Sequence, residues 1–164
     1  MFIVAGAQAH SSFKKTQLLN RLASLSSVQS IESQWIYLFD QALNEQQHQS
    51  ALQLLNDGAS FEVRQAESDE IQILVTPRLG TISPWSSKAT DIFANCNTPV
   101  HRLERGVLFT LKGVSEISAE VKLALHDRMT ESVFNQIEDA AALFSETEPK
   151  PLNSIDILGQ GKDA

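Results

Sequence analysis

An α+β domain built from two strand-helix-strand-helix halves, with its helices packed on a sheet, is the fold this sequence predicts. Four segments carry apolar residues at helical spacing behind a serine or asparagine. Runs rich in β-branched and aromatic residues, alternating in polarity over part of their length, stand between them. The order short strand, helix, long strand, helix occurs twice, with an offset of about 75 residues and negligible identity between the halves, so the order and spacing of elements carry the duplication.

The elements follow in order. Phe2 to Val4 form a short apolar strand. Residues 12 to 25 place Leu18, Leu22 and Leu25 on one face behind Ser11 or Ser12, which predicts an amphipathic helix. From Val28 to Phe39 the chain reads as a strand buried on both sides, with Trp35, Tyr37 and Phe39 on one face and Ile36 and Leu38 on the other. Asn44 caps a second helix that gathers Ala51, Leu54 and Leu55, and Gly58 stands where a left-handed residue ends it. In the second half Ile71, Ile73 and Val75 give a short strand, and Ala89, Ile92, Phe93 and Cys96 a helix. Leu103, Arg105, Val107, Phe109 and Leu111 line one face of a longer strand; Val121, Ala124 and Leu125 mark a last helix after Ser118. Val133, Ile137, Ala141 and Phe144 either prolong that helix or form a separate packed segment. A doubly wound parallel sheet competes with this architecture but is disfavoured, because the second strand of each half is long and partly alternating.

Residues 1–144 therefore read as one domain. The change to SETEPKPLNS, with two prolines, reads as a linker. Ile155, Ile157 and Leu158 then appear with no element to bury them, which predicts that 145–164 lead into a further domain.

The net charge of −7 and a pI near 5 give no basic stripe for nucleic acid, and no apolar run reaches membrane-spanning length. Together with the single cysteine, Cys96, and a start without a leader pattern, these features predict a cytoplasmic protein. Cys96 falls on the apolar helix face and reads as a core residue; His10, His48, His101 and His126 lack metal-ligand spacing. Glu104 with Arg105, and Asp127, Arg128 and Glu131, read as surface ion-pair residues. No catalytic set announces itself, so no catalytic residue and no metal ligand is assigned.

The stretch PRLGTISPWSSKATDI, Pro77 to Ile92, is the candidate site. Pro77 ends a strand, Gly80 supplies a conformation other residues resist, and Pro84 stiffens the approach to the next helix. Ser86 or Ser87 can cap that helix, and its positive end beside Lys88 and Arg78 could hold an anion, although a capped helix start with a solvated lysine is the default expectation. The spacing of a Walker-type phosphate loop is absent.

The blocks VTPRLGTISPWSSKATDIFANC, HRLERGV and LHDRMTESVF, in that order between Ile71 and Phe134, resemble the amino-terminal region of the large, single-chain phosphoribosylformylglycinamidine synthases, also called FGAR amidotransferases. The resemblance implies a ligase of purine biosynthesis that uses ATP, magnesium and glutamine-derived ammonia. It also implies an amino-terminal domain like two PurS-type subunits fused into one chain, followed by a helical linker domain. The partners implied are the synthetase and glutaminase domains of the same chain, and the ATP site and glutaminase cysteine lie beyond residue 164. Arg78, Thr81, Trp85, Ser86, Ser87 and Lys88 are then expected to make interdomain or binding contacts. The alternatives are an independent anion- or small-ligand-binding regulatory module and a small stand-alone enzyme.

Overall fold

The computed structural model describes residues 1–114 and 116–145; the expected linker and the start of a further domain, residues 146 to 164, lie outside them. Five antiparallel strands, β1 (Phe2–Gln8), β2 (Ser30–Phe39), β3 (Glu70–Pro77), β4 (Leu103–Lys112) and β5 (Glu131–Phe134), form one sheet in the order β1-β2-β4-β3-β5. Helices α1 (Ser12–Ala23), α2 (Glu45–Asn56), α3 (Pro84–Asn95) and α4 (Ala119–Leu125) cover one face, and a 3-10 helix, Glu138–Phe144, covers part of the other. The α+β class and the two halves are as the sequence predicts.

Local chemistry explains most boundaries. Ser11, Asn44 and Ser118 each accept a backbone N–H from the first helical turn, and Gln47 completes a capping box with Asn44. The helix expected to reach Leu25 ends at Ala23, leaving Leu25 exposed. After α2 the chain turns left-handed at Asp57, with φ 53°, and at Gly58, with φ 81°. Because helical spacing predicts a continued turn, Cys96 was expected in the core; α3 instead stops at Asn95, and the exposed Cys96 is its C-cap. The open question over 133 to 144 resolves into β5, which pairs with β3, and the 3-10 helix.

The duplication has a definite geometry. Adding 72 to each residue number carries Ser11 onto Ser83, Ser12–Ala23 onto Pro84–Asn95, and Trp35 onto Val107. Trp35 and Val107 are also register partners in the central β2–β4 pair, so the local two-fold axis passes through them. On the helical face α1 and α4 close one core around Leu22, Ile31, Phe109 and Leu111, while α2 and α3 close its counterpart around Phe39, Ala51, Phe93 and Leu103. Phe39 and Phe93 meet edge to face at 5.8 Å, worth about 0.5–1.5 kcal/mol beyond the area they bury. On the opposite face Ile36, Leu38, Leu74 and Leu108 pack under Ala140 and Leu143.

Candidate functional site

The Pro77–Ile92 loop is pinned at both ends. Arg78 donates its backbone N–H to Thr130 O at 2.9 Å, and Leu79 donates to Ser132 Oγ at 3.2 Å, so the loop leaves the sheet tied to the turn before β5 and to its first residues. A β-turn follows, in which Thr81 donates its N–H and its hydroxyl to Arg78 O at 3.3 and 2.7 Å. Gly80 stands third in that turn at φ 75°, where an L side chain would be strained. Neither Ser86 nor Ser87 caps α3. The cap is Ser83, whose Oγ accepts the Ser86 N–H at 2.9 Å, with Pro84 at the first helical position, where its missing N–H costs nothing.

Beneath that cap lies a charge the sequence reading placed at the surface. Glu104 points to the face opposite the helices and is fully buried. It accepts the Ser83 N–H at 3.1 Å, the Ser83 hydroxyl at 2.7 Å and an Arg102 guanidinium N–H at 2.9 Å. Arg102 donates further to Thr81 O at 2.8 Å and Leu143 O at 2.9 Å and lies over the Phe144 ring. Glu104 thus pairs with Arg102, not Arg105, and one ion pair ties the loop, the start of β4 and the 3-10 helix together. The positive end of α3 faces the protein's own carboxylate, relayed through Ser83.

An open cleft of about 750 Å³ lies against this network. Of the six expected contact residues, Thr81, Ser86 and Ser87 line it, joined by Asp40, His101 and Arg102. Asp40 bonds the His101 ring and accepts the Arg102 N–H at 3.1 Å. Ser86 is buried and its hydroxyl has no partner among the described residues. The other three diverge. Arg78 reaches Met129 O at 3.4 Å, and the exposed Lys88 makes no bond among the described residues. Trp85 turns to the helical face, where its ring stacks on Tyr37 at 6.0 Å and on the Arg105 guanidinium at 4.9 Å. The Arg105 guanidinium also lies over the Trp35 ring, at 4.5 Å. Burial raises the Tyr37 hydroxyl above its ordinary pKa, an effect that the Arg105 charge partly offsets.

Sequence reasoning missed Ser83, Glu104, Arg102 and the Asp40–His101 pair. The serine-proline step at 83–84 was the available signal for the first; the others depend on strand pairing between distant segments. The arrangement can donate hydrogen bonds and offer apolar contact to a surface. Among the described residues no three His, Cys, Asp or Glu side chains converge to hold a metal ion, and no helix is long and apolar enough to cross a membrane.

Residues 33–144 match the model of the family described as formylglycinamide ribonucleotide amidotransferase N-terminal. That span runs from β2 through the 3-10 helix and takes in the loop, the buried ion pair and the tryptophan stack. The chain belongs to the family of amino-terminal domains of formylglycinamide ribonucleotide amidotransferase, an enzyme of purine biosynthesis.

Proposed function

We propose that this chain is an interdomain scaffold of the ligase that converts formylglycinamide ribonucleotide to formylglycinamidine ribonucleotide with ATP and glutamine in the cytoplasm. It carries no reaction of its own, and its Pro77–Ile92 loop seats against the synthetase portion of the same enzyme, helping to hold that portion in register with the glutaminase. ATP and magnesium belong to those other portions. The observation that carries this reading is the display of apolar side chains on a fixed turn: Leu79 is 43 % and Ile82 is 62 % exposed, although hydrogen bonds and a buried ion pair hold the backbone around them. Ordering such a surface in advance lowers the entropy cost of association. The independent anion-binding module gains less support, because Glu104 already complements the helix end that an anion would seek.

The test is made in the full-length amidotransferase, with Ile82→Ser and with the Trp85→Ala, Lys88→Ala pair. Glutamine-dependent turnover should fall, and more glutamine should be hydrolysed for each amidine formed. Unchanged turnover and unchanged coupling in both variants would remove the scaffold role of this loop.

A further inference from the structure

Arg105, in the HRLERG run, takes no part in the Glu104–Arg102 ion pair. It projects from β4 to the helical face, where its central carbon lies over the indoles of Trp35 and Trp85, 4.5 and 4.9 Å from the two ring centroids. Two π systems therefore lie within cation–π reach of the guanidinium, whose charge is held by the ring quadrupoles. Such contacts engage the charge and leave the guanidinium N–H donors to other partners. None of those donors bonds a described residue, and none is a fully buried orphan. Its register partner in β2 is Tyr37, and its chain neighbour Glu104 points to the other face. A guanidinium held against two rings with its fork unfilled is half of a bidentate pair.

We propose that the Trp35–Arg105–Trp85 clamp is a receptor for a carboxylate side chain presented by the synthetase portion of the enzyme, a proposal that rests on the docking role given above to the loop. Two observations favour a protein carboxylate. Trp, Tyr and Arg are the residue types that dominate interface hot spots, and here Trp35, Trp85, Tyr37 and Arg105 form one cluster of half-exposed and buried rings around one cation. The chain's net charge of −7 repels a free anion at long range, whereas a carboxylate delivered by a docking surface arrives with apolar burial to offset that repulsion. Trp85 opens α3 and Ser86 and Ser87 line the cleft, so one helical turn joins the clamp to the loop.

Trp35 and Trp85 are the only tryptophans in the sequence, so 5-fluorotryptophan labelling gives two fluorine resonances, both at the clamp. The labelled chain is titrated with the separately produced remainder of the amidotransferase and, in a parallel arm, with inorganic phosphate; Arg105→Lys and Arg105→Gln are compared after thermal melts confirm that at least one is folded. The expected result is a shift of both resonances by the remainder, with affinity at least about tenfold weaker in the folded variant, as the loss of a charge-assisted bidentate contact requires. Equal binding by wild type and variant overturns the receptor while leaving the docking role intact. No binding of the remainder by the wild-type chain removes the docking role and the receptor with it. Saturable, Arg105-dependent shifts with phosphate, and none with the remainder, would make the clamp a site for a small oxyanion and refute the protein carboxylate.

Discussion

Replacing Glu104 by alanine should be the most damaging single change near the loop. The carboxylate is fully buried and is the acceptor of three hydrogen bonds, two from Ser83 and one from Arg102. Its removal leaves an arginine that is 18 % exposed without its counter-charge, and it strands the Ser83 N–H beneath the α3 cap. Breaking a buried pair from one side costs about 3–5 kcal/mol. At roughly 2–4 °C per kcal/mol for a domain of this size, the thermal midpoint should fall by about 10 °C or somewhat more. Glu104→Gln keeps the shape but turns an amide donor toward donors, and should lose about 2–3 kcal/mol. Urea unfolding followed by circular dichroism at neutral pH measures both. Ser83→Ala removes a helix cap and one Glu104 donor, at a cost of about 1 kcal/mol; combined with Glu104→Gln it should cost clearly less than the sum of the two single changes. Strict additivity, or a Glu104→Ala protein within about 0.5 kcal/mol of wild type, would refute the network.

Two further outcomes follow from the sheet. Gly106 pairs with Ile36 at the centre of the β2–β4 ladder, and a methyl group there would lie 2.7 Å from Val75 O and 3.0 Å from Leu74 Cδ1; Gly106→Ala should lose about 2–3 kcal/mol through displacement of β3, read by the same urea titration. His10 stacks on Phe109 at 5.4 Å, and burial, followed by the nearby Lys14 charge, lowers its pKa below the ordinary 6.5. The unfolded chain then binds the proton more readily, so stability rises with pH through this window and drops as pH falls below about 6.5. Urea midpoints measured from pH 7.5 down to 5 should decline in wild type and flatten in His10→Gln; parallel curves would contradict the assignment.

The helices announced themselves where chemistry is local. Ser11, Asn44 and Ser118 each precede an apolar repeat, and each is a cap in the structure. The alternation of Trp35, Tyr37 and Phe39 against Ile36 and Leu38 marked β2 as a strand buried on both sides, because an interior strand must satisfy two cores. Three serines compete around Pro84, and only the proline's preference for the first helical position singles out Ser83. Cys96 keeps helical spacing one residue past the end of α3, so periodicity placed it in a core it does not reach. β5 has four residues, too few for alternation to be read, and its pairing with β3 closes only after the chain has passed through β4 and α4. Glu104 and Arg105 are adjacent in sequence, yet the pleat sends them to opposite faces, one to an arginine and the other against two indole rings. The sequence shows the doublet but not the partners.

The local symmetry axis runs through unlike residues, Trp35 from one half and Val107 from the other. Were each half an independent subunit meeting an identical copy, the same spot would hold either two indoles or two isopropyl groups: an overfilled seam or a hollow one. Covalent fusion frees the halves to diverge there, so that a large ring stands opposite a small neighbour and lies under the Arg105 cation.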